Sequence, residues 1–140
     1  MIPRSHSVCT PIELTLFGSG AQARIAASLA FHSNDPYAVH VIFHTGDSQD
    51  DIAWMFAREL LSFGLLMPTG EGDVRIWPGP DGTDMVYLQL RSPHGEATFQ
   101  ADRTGLVDFL LCSYVVVPPG CEAGYLDLDA ELALLHDDLA

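Results

Sequence analysis

"DPYAVHVIFHTGDSQDD", residues 35–51, decides the fold, and its two histidines, His40 and His44, pose the question. On a helix they would share one face, as in zinc hydrolases that place a glutamate directly after the first histidine. Here that position is Val41. Val39, Val41, Ile42 and Phe43 are β-branched or aromatic, opened by Asp35-Pro36 and closed by Thr45-Gly46, which reads as a strand over 37–44. His40, Ile42 and His44 then share one face, and Tyr37, Val39, Val41 and Phe43 the other. At roughly 3.3 Å per residue the imidazoles lie about 13 Å apart along the chain. That is too far for one ion, whose ligand bonds are about 2 Å long. The pair is expected on a partly polar sheet face, with no metal.

On the N-terminal side, "IELTLF" at 12–17 alternates like a half-buried strand, Gly18-Ser19-Gly20 reads as a turn, and "ARIAASLAFH" at 23–32 reads as a second strand before the turn "SNDP". On the C-terminal side, Ser48 as a cap with Asp51 in the first turn opens an expected helix. Ile52, Met55, Phe56, Leu60 and Phe63 give it a helical stripe, and Gly64 and Pro68 a stop. "VRIWPG", "MVYLQLR" and "EATFQA" read as three further strands, the last two joined through Ser92-Pro93-His94-Gly95. Asp102 caps a helix with Leu106, Phe109, Leu110 and Tyr114 near one side. The tail "LDLDAELALLHDDLA" puts Leu128, Leu132, Leu135 and Leu139 on one stripe, with Asp127, Asp129 and Glu131 in its first turn. The expected class is α+β, with antiparallel sheet built from a twice-used β-β-β-α unit plus a C-terminal helix, as two packed sheets or a partly open barrel.

The 140 residues suit one domain spanning 1–140. The formal net charge is −13, and the six basic residues are all arginines, scattered singly. Phosphate binding draws on clustered cations, so nucleic acid and anionic lipid are poor partners for such a chain. No apolar run is long enough to span a bilayer. The first seventeen residues lack a signal peptide's apolar core and cleavage site. Three widely spaced cysteines, Cys9, Cys112 and Cys121, suit a reducing cytoplasm, with Cys112 in "FLLCSY" expected as a buried thiol.

No constellation demands catalysis. "PTGEGDV" has glycines but an acidic residue after each, and "FGSGAQA" lacks the third glycine of a dinucleotide fingerprint. A nucleophile elbow is absent, and paired carboxylates such as Asp50-Asp51 fall where solvated charge explains them. No enzyme and no cofactor are expected.

The phrases "DPYAVHVIFHTG", "WMFARELLSFGLLMPTGEGDVRIWP", "SPHGEATFQA", "VPPG" and the acidic "LDLDAEL" together resemble the SsgA-like family of actinomycete sporulation and cell-division proteins, from about Asp35 to the C-terminus. The resemblance implies a non-catalytic protein that positions or recruits the tubulin-like division GTPase FtsZ, or acts through another SsgA-like protein. It also implies a cytoplasmic site of action at the division septum, a fold similar to the Whirly single-stranded nucleic-acid-binding fold, and homo-oligomers, with trimers expected. No catalytic or metal residues come with it. Partner-facing candidates, read from the residues, are Trp54, Arg58 and Glu59 on the expected helix, and Trp77 and Pro78 at the end of "RIWPG". The rival readings are a nucleic-acid module, which needs converging arginines, and a metal enzyme using His32, His40 and His44.

Overall fold

The structure, a computed structural model, describes residues 6–17, 22–45, 51–70 and 72–126. Its strands are β1 (Ser7–Phe17), β2 (Ala23–His32), β3 (Asp35–Phe43), β4 (Ile52–Ala57), β5 (Val74–Pro78), β6 (Met85–Ser92) and β7 (Gly95–Asp102). Two helices, α1 (Arg58–Gly64) and α2 (Arg103–Val116), and a 3-10 turn at Glu122–Tyr125 complete it. All strand pairs are antiparallel, in one sheet of order β4-β3-β2-β1-β7-β6-β5. The α+β class follows from this arrangement. The element order is four strands, helix, three strands, helix.

The additional strand replaces the front half of an expected helix. Residues 52–57 pair with β3, Phe43 opposite Ile52, Val41 opposite Trp54 and Val39 opposite Phe56. "IAWMFA" is apolar at every position, so the 3.6-residue and the 2-residue periods both fit it. Pairing against the inward row of β3 is what selects the strand. The expected cap Ser48, the turn Gly18-Ser19-Gly20 and the tail stripe all lie outside the described residues. Asp51 closes the β3–β4 connection, accepting from the Thr45 N–H at 3.4 Å and meeting His44 Nδ1 at 3.1 Å.

The sheet is two halves joined by a narrow seam. β1 pairs with β2 from Ser7 to Leu16, but with β7 only through Thr15, Leu16 and Phe17. The halves then face each other. β3 and β7 are three strand spacings apart, about 14 Å on a flat sheet, yet the Phe43 and Phe99 ring centroids are 5.0 Å apart. Inward rows from both halves (Leu14, Leu29, Phe31, Val39, Val41, Phe56, Ile76, Val86 and Leu88 among them) form one buried core. Helix α2 packs on β1 and β7, with Leu106, Phe109, Leu110 and Ser113 buried. Cys112, expected inside, is exposed, because this helix turns 109, 110 and 113 inward and leaves 111, 112 and 115 outside.

Candidate functional site

The five candidate residues fall in three places. Arg58 follows β4 directly and is only 3% exposed. Its Nη1 donates to the carbonyls of Val117 at 2.8 Å and Ser113 at 3.2 Å, and its Nη2 to Glu122 Oε1 at 2.9 Å. The guanidinium also sits 4.7 Å from the Phe31 ring centroid and 5.0 Å from that of Tyr114. A buried cation needs several donors satisfied at once, and carbonyls at the end of α2 supply most of them. Arg58 therefore ties the β4–α1 junction to the end of α2. Glu122 is held below the usual carboxylate range, first by a hydrogen bond from its own backbone N–H; partial burial opposes this, and Arg58 adds to it.

Glu59 is exposed on α1 and lines a groove of about 370 Å³ with Tyr37, Phe63, Tyr114, Pro119 and Glu122. Tyr37 and Phe63 are exposed aromatic walls that sequence reasoning missed. Tyr37 has the same alternation parity as Val39, so the pattern alone assigned it to the core.

Trp77 and Pro78 point to opposite faces of β5. Pro78 stands opposite inward Val86, whereas Trp77 stands opposite outward Tyr87, with the rings stacked at 5.8 Å and 21°. Phe17 continues this outer row at 5.8 Å from Tyr87.

Trp54 lies on the inner face of β4, half-buried. With Ile25, Phe43, Ile52, Leu90, Ala97 and Phe99 it lines an open, mainly apolar concavity of about 450 Å³, rimmed by Thr45, Ser92, His94 and Glu96. This is the place where the facing halves of the sheet do not close. Beside it runs the free edge of β4, the last strand in the sheet order. The arrangement offers apolar contact and main-chain hydrogen bonding, which is the chemistry of protein binding.

Histidine chemistry is accounted for locally. His44 Nε2 meets Ser28 Oγ at 2.8 Å, and the His32 and His40 rings stand 6.1 Å apart on the outer face. Among the described residues no three His, Cys, Asp or Glu side chains are placed to hold one metal ion. No helix among them is long and apolar enough to cross a membrane.

Comparison with known proteins places this geometry. A family model described as SsgA, Streptomyces sporulation and cell division protein, matches residues 25–122. The sporulation-specific cell division protein SsgB of Thermobifida fusca is 47% identical over 114 residues, 81% of this chain and 82% of that protein. SsgB of Salinispora tropica is 51% identical over 108 residues, 75% of each chain. Among solved structures, the crystal structure of an SsgA-like sporulation-specific cell division protein from Thermobifida fusca YX-ER1 superposes with a TM-score of 0.84 at 43% identity, covering 95% of this chain and 98% of that one. A second, from work on SsgB mutations that correlate to longitudinal cell division during sporulation of Streptomyces coelicolor, gives 0.80 at 40% identity, covering 87% and 97%. The chain belongs to the SsgA family of sporulation and cell division proteins and is of the SsgB type.

Proposed function

We propose that this chain acts in sporulation-specific cell division as a non-catalytic binding protein that helps position or recruit FtsZ at septum sites, directly or through another SsgA-like protein. It works in the cytoplasm at the division septum, as a homo-oligomer, with a trimer the expected form. The observation that carries the reading is its likeness to several SsgB proteins over most of their length, the extent at which family roles are usually shared. The geometry agrees, since Trp54 and its apolar neighbours form a surface suited to protein contact. The Whirly-like description of the fold belongs to the same proposal, supported by two groups of strands, each leading into a helix.

A second reading, single-stranded nucleic-acid binding, finds a specific feature in the outer row Trp77, Tyr87 and Phe17, which could stack bases. Most of the cations oppose it, although Arg75 stands beside Trp77 on the same outer face. Arg24 is paired with Glu13, Arg58 with Glu122 and Arg91 with Glu96, while Arg103 donates to the Leu65 carbonyl. Net charge is −13. We therefore favour the protein partner.

The test is sedimentation of FtsZ polymers with GTP, with and without this protein, at two salt concentrations. Co-sedimentation that survives the higher salt supports direct recruitment. Loss of all association, alone and with a second SsgA-like protein added, refutes the reading.

A further inference from the structure

The two edges of the sheet are treated differently. β5 is closed: Thr69 N–H donates to Ile76 O at 2.9 Å, and Ile76 N–H to Thr69 O at 3.0 Å. It also carries Arg75 and ends on Pro78, two devices that discourage further pairing. β4 has none of these. Its six residues, "IAWMFA", include no charge and no proline, and Ile52 and Met55 are 54% and 61% exposed. Among the described residues its outward N–H and C=O groups find no backbone partner, since β3 is its one neighbour in the sheet.

An unguarded apolar edge is a hazard unless something uses it. The concavity beside it supplies the second half of a recognition site. Ile52 and Trp54 face inward from β4 beside Phe43 and Ile25 of the same half, with Leu90 and Phe99 on the facing half. A strand added to β4 would hold its main chain along the edge and send alternate side chains toward this apolar space.

We infer that β4 is the docking edge for an extended segment of a partner protein, about six residues long, uncharged or basic, with apolar side chains at alternate positions. Charge and symmetry select this occupant. The chain carries −13, and two carboxylates stand at the site, Glu96 on its rim, where it meets Arg91, and Asp51 against Thr45. Two copies paired edge to edge through β4 would form a two-fold dimer, not the expected trimer, and the chain's own tail at 127–140 brings carboxylates at Asp127, Asp129, Glu131, Asp137 and Asp138. An extended neutral or basic strand meets neither objection. The inference deepens the binding-protein reading and rests on it. Its test contains no FtsZ, so its failure and the failure of co-sedimentation remain separate outcomes.

The experiment uses the full chain, isotope-labelled, and an acetylated, amidated hexapeptide alternating valine with threonine and lysine as the probe. In the free protein, alternate backbone amides of residues 52–57 are expected to exchange with solvent rapidly. On saturation with peptide the same amides slow by about tenfold or more, while those of β5 do not change. Two further peptides carry N-methyl groups, one along each edge of the strand. One methylated form is expected to bind about tenfold more weakly than the parent, and the other like the parent. Equal behaviour of the two methylated forms overturns the proposal, as does protection outside 52–57 or the absence of binding at millimolar peptide. Alternate β4 amides already protected in the free protein also overturn it. Truncation after Leu126, or dilution, then identifies the tail or a second copy as the true occupant.

Discussion

Replacing Arg58 by methionine tests what holds the β4–α1 junction to α2. Methionine keeps most of the buried stem, so the loss is polar. The Val117 carbonyl, which accepts from Nη1 at 2.8 Å, has no other donor among the described residues. Leaving it buried costs about 1–3 kcal/mol. Glu122 also loses its cation, but its side chain is 18% exposed and water reaches it, so about 1 kcal/mol is the fair figure. Contacts with the Phe31 and Tyr114 rings add about 1 kcal/mol. The Ser113 carbonyl loses little, because the Val117 N–H still reaches it at 2.9 Å. Arg58→Met should therefore cost about 3–5 kcal/mol, which for a domain of this size lowers Tm by roughly 10–17 °C. Urea denaturation should show a lower midpoint with an unchanged slope. Arg58→Lys should recover less than half of the loss, since an ammonium cannot span two carbonyls and a carboxylate as the planar fork does. If Arg58→Met stays within about 1 kcal/mol of the parent, the buried network is not what fastens α2, and the reasoning fails.

Glu122 titrates below the usual carboxylate range in the folded chain, so its contribution is complete above the ordinary glutamate value and lost as pH falls through the lowered one. Urea midpoints between about pH 6 and about pH 3 should fall less steeply for Glu122→Gln than for the parent. Gly64→Ala adds a methyl group 2.5 Å from both Ile76 Cβ and Cγ2. It should cost about 2 kcal/mol in the same assay, and a cost near zero would mean that α1 and β5 are not so close. Asp102 accepts from the Thr104 N–H at 3.1 Å. Asp102→Ala should cost about 1 kcal/mol and Asp102→Asn much less, read from thermal melts.

Where one period dominates the residue pattern, the sequence was legible. β2 runs from Ala23 to His32 as read, and Val39, Val41 and Phe43 of β3 are buried as their alternation requires. Asp102 caps α2 as its position suggested. Ambiguity entered where every residue is apolar, so 52–57 passed for helix. β1 begins at Ser7, earlier than the alternation at 12–17 indicated, and so includes Pro11. It is tolerated there because β1 has a neighbour on one side only until Thr15. Long-range partners left no local trace. Arg58 binds groups 55 to 64 positions away. One signal was available, a lone cation inside "WMFARELL", which an apolar environment would force to find buried acceptors. The open edge of β4 required the sheet order, which no short motif encodes.

The position of Arg58 immediately after β4 has a consequence for folding fidelity. A strand apolar on both sides can slide by one residue with little loss, because either row of side chains can face the core. "IAWMFA" is such a strand. Slippage would carry the guanidinium about 3.3 Å off its carbonyls, so the residue after the strand acts as the key that fixes its alignment. The strand itself is thereby released from that duty. Its side chains, from Ile52 to Met55, are free to change while the fold stays in register through one buried arginine.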